Sequence, residues 1–507
     1  MPTLIDLTAM MGQGSRVRDH HPWPRAVVSA EQWQFAGMHL AARRWLLIGL
    51  WGDKDAVHMA LADDAAAASG ILSLECADRQ FPSVAQLHPP ALHLEAAIRD
   101  LFGLQPIASP DLRPWLDHGQ WGIRYPLGRS EPSAPAPPYL FLPAEGESLH
   151  EIAVGPVHAG IIEPGHFRFT ANGETVVRLE ERLGYVHKGI EGLMAGADPA
   201  RAARLAGRTS GDSTVAYAYA FARAAEAALA VEVPPRAVWL RALMAELERL
   251  ANHFGDIGAI CNDAAFSLMH THCGVLRELV LRAADTSFGH RLMRDRIVPG
   301  GVGVDLDEQR IACLRSLIEE VRRRFPALVG LYDNTASLQD RTVGTGVLNP
   351  ALARQYAAGG YVGRASGRDV DARRLPGYPP YDQLAFEIPV LEAGDVNARV
   401  WIRIREVEQS LSLVEQILDR LPAGPISADV PASAGGVREG VALIEGFRGD
   451  ILVWLRLGGD GRVERCHLRD PSWFQWPLLE AAIEGNIVAD FPLCNKSFNC
   501  SYSGHDL

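Results

Sequence analysis

Between Ser213 and Pro234 the chain contains neither glycine nor proline and is dominated by alanine: Thr214-Val-Ala216-Tyr217-Ala-Tyr219-Ala-Phe221-Ala-Arg-Ala-Ala-Glu226. Alanine has the highest helix propensity, and side chains this small let neighbouring elements approach on several sides. The stretch therefore predicts a long helix at the centre of a helical domain. Immediately before it, Arg201-Ala-Ala-Arg204-Leu-Ala206-Gly207-Arg208-Thr209-Ser210-Gly211-Asp212-Ser213 offers Thr209, Ser210, Asp212 and Ser213 as candidate N-caps. Loop N–H groups and the positive helix end would then face a cavity suited to something negative or reducible.

A chain of 507 residues exceeds what one hydrophobic core supports, so two or more domains are expected. The tract Gly128-Arg-Ser-Glu-Pro132-Ser-Ala-Pro135-Ala-Pro137-Pro138 cannot hold a helix or a sheet ladder. It opens a linker over 128–147 between a domain at 1–127 and a larger one at 148–507. A net charge of −12 argues against nucleic-acid binding. Trp45–Trp51 is the length of a strand, and no apolar run is long enough to cross a bilayer, so a membrane role would be peripheral. No secretory signal is visible, which places the chain in the cytosol. The seven cysteines form no CxxC pair, so reduced, buried thiols are expected rather than a disulfide framework or a zinc or iron–sulfur motif.

In the first domain, Trp45–Trp51 and Ile71–Cys76 read as strands, Asp55–Ala68 as a short amphipathic helix, and Pro90–Phe102 as a helix ended by Gly103, which together make an α+β layer. The second opens with Gly155-Pro-Val-His158-Ala-Gly160-Ile-Ile-Glu163-Pro-Gly165-His166, whose turns precede alternating segments at Phe167–Ala171 and Thr175–Leu179, the pattern of a small sheet. His158, Glu163 and His166 are candidates for a polar wall, although His-x4-Glu-x2-His is no zinc pattern. Glu180–Met194 reads as a helix kinked at Gly184 or Gly189. In Arg241–His253, Leu243, Leu247 and Leu250 form a core stripe with Leu240, while Glu246, Arg249 and His253 share the adjacent stripe, either as a charged relay or as a solvated ion pair. Gly449–Arg469 is a hairpin with a glycine-rich turn. No nucleotide-binding glycine fingerprint follows a predicted strand.

These blocks carry a resemblance. Asp100-Leu-Phe-Gly103, Asp111-Leu-Arg113 and their surroundings resemble the small hydrophilic subunit of respiratory complex I. Gly155-Pro-Val-His158, Glu163-Pro-Gly-His166-Phe-Arg168 and Tyr185-Val-His187-Lys188-Gly189-x-Glu191 are similar to the large subunit of membrane-bound [NiFe]-hydrogenases of the formate hydrogenlyase and hydrogenase-4 type, and to the quinone-site subunit of complex I. Glu246-x-x-Arg249-Leu-x-Asn252-His253, Val362-Gly-Arg364-Ala-Ser366-Gly367 and Gly394-Asp395 continue it in order. The implied fold is the small α+β domain, the linker, and a mainly helical hydrogenase-large-subunit-like domain with short flanking sheets, and the resemblance also implies that the tail Lys496–Leu507 folds back beside the cavity.

The resemblance also marks a departure. At the family's metal-binding motif Arg204 and Gly207 keep the frame, but Ala206, Thr209 and Ser213 replace two cysteines and a histidine. At the C-terminus Ser501 and Gly504 occupy the other two thiolate positions, and Cys500 is one residue out of frame. The expectation is no metal centre, since a hydroxyl substitutes poorly for a soft thiolate. Tyr217 takes the place of a quinone-site tyrosine, Ile162 stands where the partner histidine would be, and Glu163 resembles a proton-transfer glutamate. Implied catalytic residues are thus Tyr217, Glu163, His158, Glu246, Arg249 and His253, with Ala206, Gly207, Thr209, Arg364 and Ser366 around an acceptor. The implied protein binds no cofactor tightly and admits a quinone. It takes electrons from a [4Fe-4S] cluster in an iron–sulfur small subunit and assembles with antiporter-like and anchor-type membrane subunits at the cytoplasmic face of the inner membrane. Alternatives are a non-redox coupling subunit and a hydrogenase-4 type hydrogenase subunit.

Overall fold

The computed structural model describes residues 6–63, 68–132, 138–157 and 162–507. Its N-terminal layer is a five-stranded sheet. Leu46–Gly52, Ala56–Asp63 and Ala68–Glu75 form an antiparallel meander, Arg25–Val27 runs parallel to the last of these, and Ser15–Val17 makes the edge. The helix Leu92–Phe102 packs against Leu46–Gly52 and ends where Gly103, at φ 69°, takes the left-handed conformation that breaks the helical ladder.

The helix expected over Asp55–Ala68 is instead the strand Ala56–Asp63, with residues 64–67 outside the described set. The reason is burial on both faces. Val57, Met59 and Leu61 belong to the N-terminal core, while Ala60, with Trp51 and Ile71, lies against Val441, Leu452 and Trp454 of a second sheet. A strand covered on both sides has no apolar–polar alternation, and its continuous apolar run imitates a helix face.

That second sheet comprises His20–His21, Arg438–Gly446, Gly449–Leu457 and Val463–Arg469. The hairpin expected over Gly449–Arg469 is its last pair of strands. Its first strand comes from the other end of the chain, so the two halves of the protein are joined by a ladder as well as by packing. Ion pairs of 2.5 Å between Arg25 and Glu439 and between Asp53 and Arg456 cross the same junction.

The alanine-rich segment is the helix Thr214–Leu229, with all but three of its 16 residues buried. Its small side chains serve the close approach of the sheet. A Cβ built on Gly440 would lie 2.9 Å from Ala228 N, so strand and helix backbones nearly touch. The long helix Pro235–Asp263 packs on it and carries Ser267–Phe288 and Val396–Arg420, with Glu308–Asn334 against these two, and together with Thr214–Leu229 they supply most of the larger core. The whole is mixed α+β, a β-rich N-terminal domain followed by a mainly helical region with small sheets, as the sequence implies.

A three-stranded sheet forms from Leu149–Val157, Gly165–Asn172 and Thr175–Arg182. The expected kinked helix over Glu180–Met194 is therefore the end of a strand, a turn and the short helix Ile190–Met194. Gly184 and Gly189 sit at φ 85° and 66°, a backbone no continuous helix contains, and Val176 and Leu179 pair into the sheet and its core. In the linker, Glu131–Pro132 pairs with Ile123–Arg124, and residues 133–137 lie outside the described set. Beyond them Tyr139 lies beneath the Arg113 and Arg182 guanidinium groups, and Leu142 N donates to Glu180 Oε2 at 2.8 Å. Among the described residues, no helix is long and apolar enough to cross a membrane.

Candidate functional site

The N-terminus of the central helix is not capped by its own preceding loop. Ser213 makes no side-chain cap bond, and Ser210 Oγ instead donates to Asp212 Oδ1 at 2.5 Å. The carboxyl group at the positive helix end comes from the long helix Pro235–Asp263: Glu248 Oε2 accepts from Val215 N at 2.7 Å and Oε1 from Ala216 N at 3.0 Å. Burial pushes this carboxyl up to about 8 against the two N–H donors, with the Asp212 charge adding to the rise. Glu248→Gln puts an amide N–H₂ against one of those donors. The expected loss is about 1–3 kcal/mol, read by chemical denaturation.

The loop before the helix meets the C-terminal tail, as the sequence implies. Ser501 Oγ lies 3.4 Å from Ser210 Oγ, and the Leu507 carbonyl accepts from Lys188 N and Gly189 N, both at 2.9 Å. The Asp506 carboxylate accepts from Gly184 N at 2.8 Å and Val186 N at 3.1 Å. Tyr217 is fully buried and its hydroxyl donates to Asp470 Oδ2 at 2.7 Å, while Ser472 N donates to Asp470 Oδ1 at 2.8 Å. Asp470 also fills the space beside Gly504, where an added Cβ would lie 2.5 Å from Asp470 Cγ.

The donor set here is poor for a soft metal. Ala206 offers no ligand atom and Gly207 serves as the C-cap of Pro199–Ala206, its carbonyl accepting from Thr214 Oγ1 at 2.6 Å. Thr209 is buried and its hydroxyl has no partner among the described residues, and Ser501 Oγ accepts from Gly504 N at 2.9 Å. Burial holds the nearby Cys500 as a thiol, its pKa raised well above the ordinary value. Among the described residues no group of three or more His, Cys, Asp or Glu is placed to hold a metal ion.

Glu246, Arg249 and His253 are not a solvated ion pair but part of a solvent-excluded network, each at most 1% exposed. Arg249 Nε donates to Glu246 Oε2 at 3.3 Å, and its Nη atoms donate to the Glu445 and Gly446 carbonyls. Glu246 also accepts from Tyr381 at 2.7 Å, Ser410 at 2.6 Å and Arg373 at 3.0 Å. His253 Nε2 lies 2.7 Å from Glu406 Oε2. Arg364 holds Glu406 at 2.7 Å, Glu445 at 2.9 Å and Asp371 at 3.4 Å. Three guanidinium groups, Arg249, Arg364 and Arg373, thus face four carboxyls, Glu246, Glu406, Glu445 and Asp371. One anion is in excess. Burial, followed by the Asp371 charge, pushes Glu445 up to about 7, so of the four acids it is the one that takes up a proton near neutral pH.

Arg364 therefore spends its donors on three acids, and Ser366 Oγ donates to the Val362 carbonyl at 3.1 Å. Glu163 is half-buried at the edge of the small sheet, close enough to Lys188 to favour its charged form against burial. His166 Nδ1 contacts the Gly155 carbonyl, and His158 lies outside the described residues. Sequence reasoning does not single out Glu248, Asp470, Asp371, Glu406 or Glu445. Only Glu248 stands inside a family block, Glu246-x-x-Arg249, and there at an unspecified position; the others are brought in by contacts across the fold.

Residues 57–136 match the model of the respiratory-chain NADH dehydrogenase 30 kDa subunit, and residues 263–439 that of the 49 kDa subunit. The chain is 31% identical to formate hydrogenlyase subunit 5 of Escherichia coli (strain K12), over 84% of this chain and 77% of that protein. It belongs to the complex I 49 kDa/30 kDa family. Within that family it is also 31% identical to an NADH-quinone oxidoreductase component of Syntrophobacter fumaroxidans, over 70% of this chain and 95% of the other. Its fold matches a chain from the structure of the membrane-bound sulfane sulfur reductase, an archaeal respiratory membrane complex, with TM-score 0.67 and 26% identity over 71% of this chain and 99% of that one. A 30 kDa-like segment and a 49 kDa-like segment thus lie in one polypeptide.

Proposed function

We propose that this family member is a peripheral subunit at the cytoplasmic face of a membrane-associated, complex I-like oxidoreductase. It passes electrons from a [4Fe-4S] cluster in an iron–sulfur small subunit to an acceptor such as quinone, without a NiFe centre. Antiporter-like and anchor-type membrane subunits translocate the coupled proton or ion. The observation that carries the loss of the metal is the donor set at the four aligned positions. Ala206 and Gly504 supply no ligand atom, Thr209 and Ser501 supply hydroxyls, and the Asp470 carboxylate occupies the space beside Gly504.

The acceptor supplies the two-electron chemistry when bound, and the chain's own residues handle protons. Tyr217 holds one at its hydroxyl against Asp470, and both burial and that carboxylate push the phenol well above its ordinary pKa. Glu163, beside Lys188 and the tail, is the half-buried carboxyl suited to exchange with solvent. Glu445 is the one member of the inner network whose pKa, about 7, lets it gain and lose a proton near neutrality.

One observation favours the alternative of a coupling subunit. The Tyr217 hydroxyl is sealed in the core and already bonded to Asp470, so it meets an acceptor only if the tail moves. Nickel analysis and quinone-reduction assays on the complex purified through this chain separate the readings. The expected result is no stoichiometric nickel, with reduction lowered at least tenfold by Tyr217→Phe and several-fold by Glu163→Gln. Stoichiometric nickel would restore a hydrogenase. No nickel and no activity with any acceptor would favour the coupling role.

A further inference from the structure

The strand Thr175–Arg182 sends Leu179 and Glu181 to one face, and the residues opposite them in the register are Phe169 and Phe167. That face is core. The Phe167 ring lies 4.8 Å from that of Phe491 and 6.3 Å from that of Trp476, and Tyr502 of the tail closes over Gly165, where an added Cβ would lie 2.9 Å from Tyr502 Cε1. Glu181 thus stands where an apolar side chain would. It is 1% exposed, and among the described residues neither of its carboxyl oxygens has a hydrogen-bond partner. Its main-chain N–H donates to Glu480 Oε1 at 2.8 Å, so a second acid lies against it.

The surroundings work against ionising this pair. Glu480 is half-buried in the last turn of the helix Ser472–Ile483, and Glu484, exposed, follows one turn on as the C-cap. The negative end of a helix and a like charge four residues away both disfavour a carboxylate there. The cation that acts on Glu480 is Arg113, which is bonded to Asp111 at 2.6 Å and to Glu180 on the opposite face of the sheet. Burial, with the Glu180 and Glu484 charges adding to it, pushes Glu480 up to about 8 against the Glu181 N–H. Burial and then the Glu480 charge push Glu181 well above the ordinary carboxylate range. Tyr356 lies beside Glu480, and on the tail side Glu181 adds to the rise that burial imposes on Cys500 and Tyr502. Two neighbouring acids in such a place cannot both be ionised at neutral pH, so the arrangement holds protons between the surface and the tail.

We propose that Glu181 and Glu480 form a proton-loading pair, which takes protons from solvent at the exposed end of the helix and holds them against the C-terminal tail. In each transfer one carboxyl O–H bond breaks and another forms, solvent supplies the proton, and no electron moves. The pair deepens the reading of a proton-handling subunit and rests on it only for the use to which the proton is put.

Infrared difference spectra of the full chain, wild type against variant, test the pair without any acceptor. At pH 7 Glu181→Gln and Glu480→Gln are each expected to remove the C=O stretch of one protonated carboxyl. In deuterium oxide that stretch should shift within seconds of mixing, long before the chain unfolds. Glu480 should ionise first as the pH rises through about 8. In Glu480→Gln the Glu181 stretch should then vanish at a lower pH than in wild type, because a like charge has been removed. An amide oxygen at position 480 still accepts from Glu181 N, and unfolding midpoints report whether each variant folds. If Glu181→Gln does not fold, Glu480→Gln tests loading through its own carboxyl stretch. Carboxylates at pH 7, or a protonated carboxyl whose stretch stays unshifted in deuterium oxide for hours, overturn the loading. A Glu181 stretch that vanishes at the same pH with and without Glu480 overturns the pairing. Failure of quinone reduction leaves all of these results readable, so the two readings fail separately.

Discussion

Arg364→Leu is expected to lower the stability of the protein by about 3–5 kcal/mol at neutral pH, the cost of removing one partner from a buried ion pair. Arg364 is 1% exposed and, among the described residues, is the side chain that touches Glu406, Glu445 and Asp371 together. Without it those acids are buried beside the two guanidinium groups of Arg249 and Arg373, which also serve Glu246. The loss depends on pH with a defined sign. In the native protein Arg364 is the main influence holding Glu406 below the ordinary carboxylate range, against burial, so this acid contributes stability above its unfolded pKa and loses it as the pH falls. In the variant the same carboxyl is left buried and its pKa rises, so its contribution turns unfavourable as the pH increases. Urea unfolding at pH 5 and pH 8 measures both, and the deficit should be larger at pH 8. A deficit under about 1 kcal/mol, or one equal at the two pH values, would mean that the network is hydrated and each pair is worth no more than a surface ion pair.

Glu445 adds a smaller dependence of its own. Its folded pKa of about 7 lies above the unfolded value, so the folded state binds more protons between the two. Its contribution is complete below the unfolded pKa and fades as the pH rises towards 7. Glu445→Gln is expected to flatten the native profile over that window.

What is legible in the sequence follows from how local its cause is. The central helix can be read because alanine acts residue by residue, and Gly103 because a left-handed cap needs only its own backbone. The hairpin at Gly449–Arg469 is equally readable, whereas the returning tail, which meets Ser210 from 291 residues away, is implied only by the family resemblance. The strand Ala56–Asp63 is not, because the second sheet that covers its outer face comes from residues near 441–454, far along the chain. The strand Thr175–Arg182 escapes where polar Glu180–Arg182 look helical in isolation and are made extended by pairing with His166–Arg168. The same holds within the site. Glu246, Arg249 and His253 stand out by spacing, but whether they are solvated is decided by Asp371, Glu406 and Glu445, which no spacing links to them. The candidate caps Thr209, Ser210, Asp212 and Ser213 are reasonable by type, yet Glu248 takes the helix end from the neighbouring helix. Asp470 is separated by 253 residues from the tyrosine it binds, and nothing near either one announces the pair.

That pair sets the second large effect. Gly504→Ala is expected to destabilise the protein by about 1–3 kcal/mol, the range for forcing a methyl group into a filled site. An added Cβ would lie 2.5 Å from Asp470 Cγ, and the carboxylate cannot swing aside without releasing the Tyr217 hydroxyl and Ser472 N. The same crowding bears on whether a metal would fit here. A thiol side chain at position 504 meets Asp470 before it meets any ligand, so Gly504→Cys with Ser501→Cys, Ala206→Cys and Thr209→Cys restores four thiols on paper but not the space between them. The cost of Gly504→Ala should be strongly non-additive with Asp470→Ala. The Asp470 change alone leaves the buried Tyr217 hydroxyl unpaired, whereas in the double variant the methyl added at position 504 occupies the volume the carboxylate vacates. An interaction energy of about 1 kcal/mol or more in a double-mutant cycle, read by urea unfolding, is the expected outcome. Additive effects would mean that the tail at Gly504 yields freely, and a tail that yields is what an acceptor would need to reach Tyr217.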